Sequence, residues 1–146
     1  MYYRHGEELV INTLKARGHN VQDVSSNSEY WHKDIDAITE LGTIEIKTDN
    51  RISETGNLFI ETFNECSKGG KGWFRFCEAQ FIFYTDAANK ITYIFLMDEL
   101  KQYISIHEKE YETRNVRDYN GKRSYGLLVP LRELQNNIGL QILNLN

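Results

Sequence analysis

Two short β-rich segments, separated by an almost immediate chain reversal, constrain the fold of this chain more than any other feature. Residues 35–39 and 43–47 are rich in β-branched side chains, and only residues 40–42 lie between them. A connection of this length is typical of an antiparallel β-hairpin. The sequence therefore predicts a hairpin here, and the hairpin fixes which side chains of the two strands face each other.

The second strand of this hairpin alternates between apolar and ionisable side chains. Successive residues of a strand point to opposite faces, so Ile44 and Ile46 share one face while Glu45 and Lys47 share the other. Asp36, on the neighbouring strand, can bring a second carboxylate beside Glu45. Two carboxylates with open positions suit a hard divalent cation. A lysine beside that cation can hold or deprotonate a water molecule that attacks a phosphate.

An amphipathic helix is predicted before the hairpin, over residues 7–17, and Gly18 follows it as a stop signal. Its apolar face is formed by Val10, Ile11 and Leu14. Glu7 lies at the N-terminal end of the same face. A carboxylate that points inwards is costly unless it is paired or binds a metal ion, so Glu7 is a further candidate ligand.

The remaining elements are short. Strands are expected at 19–24, 57–62, 80–85, 90–97 and 125–129, and helices at 73–78, at 98–105 with Asp98 as the cap, and at 131–136. Residues 25–33 and 67–72 are predicted to be loops, and residues 108–123 carry no clear period. We therefore expect one α/β domain over residues 1–146, with a mixed central sheet flanked by helices and residues 106–146 as a C-terminal extension.

Composition limits the class of protein. The chain is 40% hydrophobic and 26% charged, as expected of a soluble globular protein. Its longest apolar run, residues 91–97, is far below the roughly 18 residues that span a bilayer. The N-terminus does not resemble a signal peptide, so we expect a cytoplasmic protein without membrane contact.

Cysteines and histidines give little sign of a cofactor. Cys66 and Cys77 are too few for a disulfide framework or a Cys-rich zinc site, and the histidines lack metal-ligand spacing with each other or with the cysteines. His32, beside Trp31 and just before the acidic strand, is the histidine best placed to touch a substrate. No organic cofactor is indicated.

These features together resemble the PD-(D/E)XK nuclease superfamily, which includes restriction endonucleases and archaeal-type Holliday junction resolvases. The resemblance covers about residues 4–105 and rests on Gly6-Glu7, Gly18, Asp36 and Glu45-Ile46-Lys47. It implies a restriction endonuclease-like αβββαβ core and a Mg²⁺- or Mn²⁺-dependent endonuclease that hydrolyses DNA. By the same resemblance, Asp36, Glu45 and Glu7 are metal ligands and Lys47 is the catalytic lysine.

The first acidic position departs from the family pattern. Ile35 stands where the family often has proline, and Asp34 lies on the same strand face as Asp36. Either aspartate could therefore be the ligand. We favour Asp36 because the hydrophobic pair Ala37-Ile38 follows it, as in the family.

Six further residues are candidate substrate contacts. Glu61 could add a ligand or position the lysine, or be an ordinary polar strand residue. Trp73 could stack on a base or belong to the core. The four others form a basic cluster, near Tyr119 and Tyr125, that could bind a phosphate backbone or be a solvated loop: Arg114, Arg117, Lys122 and Arg123.

Other interpretations of these residues are also consistent with the sequence. Glu45 and Lys47 alone would suit a surface ion pair, and the whole scaffold could be a non-catalytic module that binds nucleic acid or protein. The same metal site would also serve an RNase. A net charge of −4 disfavours tight binding of duplex DNA by one subunit, and so favours a homodimer or a partner with more basic surface.

Overall fold

The computed structural model describes residues 2–118 and 120–146, with the backbone alone for Tyr2, Tyr3 and Lys68. Its helices are α1 Tyr2–Ala16, α2 Ser28–Trp31, α3 Ile52–Thr55, α4 Trp73–Phe76, α5 Met97–His107 and α6 Leu131–Asn137. Its strands are β1 Val21–Asp23, β2 Ala37–Thr39, β3 Gly42–Thr48, β4 Asn57–Asn64, β5 Phe81–Asp86, β6 Ile91–Leu96, β7 Thr113–Arg117, β8 Arg123–Pro130 and β9 Gln141–Asn144. Two short 3₁₀ turns cover Lys68–Gly70 and Glu108–Glu110.

The strands form two sheets. One has six strands in the order β1-β2-β3-β5-β6-β9, and the other has three in the order β4-β8-β7. All neighbouring strands are antiparallel except β3 and β5, which are parallel. The predicted mixed sheet flanked by helices is therefore confirmed, and a second sheet accompanies it. Residues 106–146 supply β7 and β8 to the second sheet and β9 to the first.

The predicted hairpin is formed by β2 and β3. Thr39 pairs with Gly42 and Ala37 with Ile44, so the loop between the strands has two residues. Gly42 has φ of +142°, and a Cβ atom there would clash with the side chain of Gln80. Glycine is thus favoured at this turn, because any other residue would strain the backbone and displace the Gln80 side chain.

Helix α1 packs on the Ile44 and Ile46 face of this hairpin. Its predicted apolar residues are buried with them in one cluster that also includes Ala37 and Phe83. The helix begins earlier than the predicted residue 7 and ends before Gly18, whose φ of +91° suits the predicted stop. Gly6 leaves no room for a Cβ atom beside Thr48, so the start of α1 lies directly against the end of β3.

The opposite face of the six-stranded sheet covers the larger core. Ile82 and Tyr84 of β5 and Phe95 of β6 pack there with the buried side chains of β4, β8 and the helices α4, α5 and α6. The second sheet therefore faces the side of β3 that carries Glu45 and Lys47. Among the described residues, no helix has the length and apolar character needed to cross a membrane.

Two local expectations were wrong, and two strands were not predicted. Residues 25–33 contain the short helix α2, because the Asn27 side chain accepts a hydrogen bond from Glu29 N–H and caps it. Residues 108–123 contain β7, and β9 was not predicted. Asp98 does not cap α5, because the helix begins at Met97 and the cap position is Leu96, without a side-chain hydrogen bond.

Candidate active site

Asp36 lies where β2 and β3 begin to separate. Its backbone N–H donates to Ile44 O at 2.8 Å, and its Oδ2 accepts from Ile46 N–H at 2.9 Å. The carboxylate thus continues the strand ladder in place of a backbone carbonyl. Burial raises the pKa of Asp36, while the Ile46 amide and Lys47 oppose that rise.

Glu45 and Lys47 lie on the same face of β3, as the alternation predicts. Lys47 Nζ is 3.0 Å from Glu45 Oε1 and 3.8 Å from Asp34 Oδ2. The Glu45 side chain is only 4% exposed. Burial raises its pKa well above the ordinary value, and Lys47 offsets part of this. Burial would lower the pKa of Lys47, but Glu45 and Asp34 outweigh it and raise that pKa, so Lys47 is an ammonium ion.

Two carboxylate oxygens beside Lys47 are buried and have no hydrogen-bond partner among the described residues. They are Asp34 Oδ2 and Glu45 Oε2. Asp34 also has a left-handed backbone, with φ of +59°. A buried acceptor without a hydrogen bond costs about 1–3 kcal/mol, and the large majority of buried polar side-chain atoms in proteins have a partner. Both oxygens are therefore candidates to contact a cation or a polar substrate.

Glu7 brings a further carboxylate from α1 towards Asp36. It is half-buried, and the nearest cation is Arg4, with Nη1 3.8 Å from Glu7 Oε2. Burial raises the pKa of Glu7 to about 7, and the negative charge of Asp36 is the next largest cause. The carboxyl groups of Glu7, Asp36 and Glu45 thus all have raised pKa values, and the charge of Asp36 contributes to the rise at both Glu7 and Glu45.

Lys47 lines an open cleft of about 870 Å³. Asp34, Glu61 and Lys71 also line it, and its aromatic lining residues are Trp31, Trp73 and Phe76. A second cleft of about 370 Å³ shares Lys47, Glu61 and Trp73 and includes Arg51 and Arg114. The two clefts therefore meet at Lys47.

Glu61 and Trp73 support Lys47. A β-bulge in β4 follows Glu61, which accepts from Trp73 N–H at 3.3 Å and from the Asn64 side chain. Lys47 Nζ lies 5.7 Å from the centre of the Trp73 ring, a cation–π contact. Trp73 is 5% exposed, which fits a core residue better than an open stacking platform.

The basic residues predicted to contact substrate do not all reach the clefts. Arg114, on β7, lines the second cleft. Arg117 donates instead to Gly121 O at 2.9 Å, and Arg123 pairs with Glu65. Lys122 is exposed, and neither it nor these two lines either cleft. Tyr119 lies outside the described residues.

Two groups of side chains were not predicted from the sequence. One is Arg51 in the second cleft, which precedes the one-turn helix α3 and belongs to no motif.

The other is a group of three side chains whose possible metal-ligand atoms lie within 4.8 Å of one another: His107, Glu110 and Glu133. The hydroxyls of Tyr103 and Tyr111 donate hydrogen bonds to Glu133 Oε1 at 2.8 and 3.0 Å. The spacing of His107 and Glu110 on one helical turn is visible in the sequence, whereas Glu133 arrives from a separate helix. Within the described residues, the acids around Lys47 do not form such a tight group.

The arrangement around Lys47 combines clustered carboxylates, which attract a hard cation, with an ammonium that can face a phosphate. No protein-family model, no curated protein and no solved structure matches this chain.

Proposed function

We propose that this protein is a metal-dependent endonuclease that hydrolyses phosphodiester bonds of DNA. The observation that carries the proposal is the position of Lys47. Its ammonium lies between Glu45 and Asp34, each of which has a buried oxygen without a hydrogen-bond partner among the described residues, and it opens into a cleft.

The order of elements supports this proposal. Helix α1 is followed by β1, β2 and β3 in an antiparallel arrangement, and later by α4 and by β5, which is parallel to β3. With α2, α3 and β4 treated as insertions, this order resembles the αβββαβ order of restriction endonuclease-like cores. The resemblance noted in the sequence assigns the acids and the lysine to the same positions.

The residues present fit a divalent cation. Glu45 has an unpartnered oxygen, and its charge is disfavoured by burial beside two other acids, so a cation would relieve both costs. Glu45 and Asp36 would hold Mg²⁺ or Mn²⁺, and Glu7 would complete the set; Asp34 is the alternative to Asp36. When bound, the ion supplies Lewis-acid activation of water and neutralises charge on the phosphate.

The remaining chemistry belongs to the side chains. Lys47 donates hydrogen bonds to the attacking water and to the phosphate oxygens, whose negative charge it stabilises. The Trp73 ring and Glu45 restrict the position of its amine. Glu61 fixes the Trp73 backbone, and Arg114 binds a flanking phosphate from the second cleft.

The test is a cleavage assay with supercoiled plasmid, single-stranded DNA, a four-way junction and RNA, in Mg²⁺ or in EDTA. We expect cleavage of DNA in Mg²⁺ and none in EDTA. Lys47→Ala should lower the rate by at least about 100-fold, the size of a lost charge-stabilising group. Lys109→Ala removes an exposed lysine far along the chain and serves as the matched control.

Circular dichroism of each variant keeps loss of chemistry apart from loss of fold. Full cleavage by a folded Lys47→Ala protein would overturn the assignment. Calorimetric titration with Mn²⁺ tests the acids separately, and no heat of binding at millimolar metal would favour a non-catalytic binding module.

A further inference from the structure

We propose that the substrate strand is unpaired where it is cut, and that Trp31 and His32 form a stacking platform for one of its bases. The inference rests on the proposed function for the chemistry that follows binding, but the platform itself is argued from the cleft.

Trp31 is a large apolar side chain that the core does not use. It is 66% exposed, and its ring stacks on His32 with centroids 5.4 Å apart and planes 19° from parallel. Both residues line the large cleft together with Asp34 and Lys47. An exposed pair of stacked rings offers a ready face for a nucleobase.

The platform is tied to the catalytic centre by the backbone. Trp31 ends helix α2, and its carbonyl accepts a hydrogen bond from Asp34 N–H at 3.1 Å. Asp34 in turn has its carboxylate 3.8 Å from Lys47 Nζ. A base on Trp31 therefore shares one cleft with Lys47, the group that would face the scissile phosphate.

The charge of the cleft favours stacking over duplex binding. Its described lining side chains include two lysines, Lys47 and Lys71, and two acids, Asp34 and Glu61. Duplex affinity depends on several phosphate contacts that release counterions, which this balance does not provide. Stacking one base on an aromatic side chain is worth about 5- to 100-fold in affinity, and it requires a base that is free of its partner.

The second cleft can bind the part of the strand that continues beyond Lys47. It meets the large cleft at Lys47 and carries Arg51 and Arg114, which suit phosphates. A strand whose base lies on Trp31 and whose backbone lies by Arg114 places the intervening phosphate over Lys47.

The experiment measures binding without cleavage, by fluorescence anisotropy of labelled oligonucleotides in EDTA and again in Ca²⁺. The probes are single-stranded DNA and RNA of one mixed 20-residue sequence, and the DNA duplex of that sequence. We expect a single strand to bind at least about 10-fold more tightly than the duplex, and the DNA and RNA arms to identify the polymer.

The variants isolate the platform. Trp31→Ala should weaken single-strand binding by about 5- to 100-fold, and Trp31→Phe, which keeps a ring, should restore most of it. Leu41→Ala removes another exposed apolar side chain outside both clefts and should bind as the unmodified protein does. Equal affinity of Trp31→Ala and unmodified protein, equal affinity for duplex and single strand, or no binding in either buffer would overturn the inference.

The outcome is separable from that of the proposed function. Binding that depends on Trp31 without any cleavage would keep the platform and refute the nuclease. Cleavage that ignores both Trp31 and strandedness would keep the nuclease and refute the platform.

Discussion

Lys47 Nζ lies 3.0 Å from Glu45 Oε1, and the Glu45 carboxylate is almost fully buried. Removing the amine leaves that carboxylate buried without its ion-pair partner. We expect Lys47→Met to lower the free energy of unfolding by about 1–3 kcal/mol at pH 8, somewhat less than for a fully buried pair because Lys47 is partly exposed. The loss should be smaller at pH 5, where Glu45 with its raised pKa holds a proton more readily.

Urea denaturation at both pH values, in EDTA, measures this effect. The double variant Lys47→Met/Glu45→Gln removes the charge as well as its partner and should recover much of the stability. A Lys47→Met protein as stable as the parent at pH 8 would show that the pair is not electrostatically important.

Asp36 and Asp34 should respond differently to amide substitution. The charge of Asp36 raises the pKa values of both Glu7 and Glu45, whereas Asp34 has its carboxylate 3.8 Å from the ammonium of Lys47. We expect Asp36→Asn to weaken Mn²⁺ binding by at least about 10-fold, and Asp34→Asn to change it only a few-fold while still slowing cleavage.

Asparagine is a fair probe at both sites. Its Oδ1 can still accept the Ile46 N–H, so the strand ladder at position 36 can persist. Calorimetry gives the metal affinities, and the reverse order of the two variants would identify Asp34 as the ligand.

Glu7 should make stability depend on pH. Its pKa is about 7 in the folded protein, mainly because of burial, against an ordinary value of 4.5. Between these values the folded chain keeps a proton that the unfolded chain has released, so stability falls as pH rises through this window. The fall due to Glu7 is on the order of 1–3 kcal/mol and is complete above pH 7.

Glu7→Gln removes this titration. The variant should lose less stability than the parent between pH 4.5 and 8, as followed by urea denaturation in EDTA. Glu8→Gln, an exposed neighbour on the same helix, should follow the parent curve. Parallel curves for Glu7→Gln and the parent would contradict the raised pKa.

The two cysteines should differ in reactivity. Cys66 is exposed, whereas Cys77 is 3% exposed and its Sγ donates to Asp34 O at 3.4 Å. Burial, followed by the charges of Glu45 and Asp34, raises the pKa of Cys77 to about 12, so its thiol stays protonated and inert. With Ellman's reagent at pH 8 we expect one fast thiol per chain and a second only after unfolding. Cys66→Ser should abolish the fast phase.

The hairpin and α1 could be predicted because their side chains follow a strict period. Glu45 and Lys47 share a face for the same reason. Strand β7 could not be predicted in this way, because all five of its residues are exposed and it has no apolar face to give a pattern. It forms by pairing with β8, which is a property of the fold rather than of the segment.

Long-range pairing also hid the second sheet and part of the site. Strand β4 pairs with β8, which lies sixty or more residues later in the chain. Neither segment carries a sequence pattern that identifies the other as its partner. The approach of Trp31 and Arg114 to the two clefts depends on such pairings. The sequence indicated the acids and the lysine. The residues that line the clefts around them could be identified only from the three-dimensional structure.

The connection between the parallel strands β3 and β5 bears on how such a protein can diversify. Residues 49–80 connect the end of β3 to the start of β5, which lies beside β3 in the sheet. This connection contains Glu61 and Trp73. The register of β3 is set by its ladders to β2 and β5, not by this excursion. Substitution of exposed residues in this connection, such as Arg51, can therefore change the lining of the second cleft while Glu45 and Lys47 keep their places on β3.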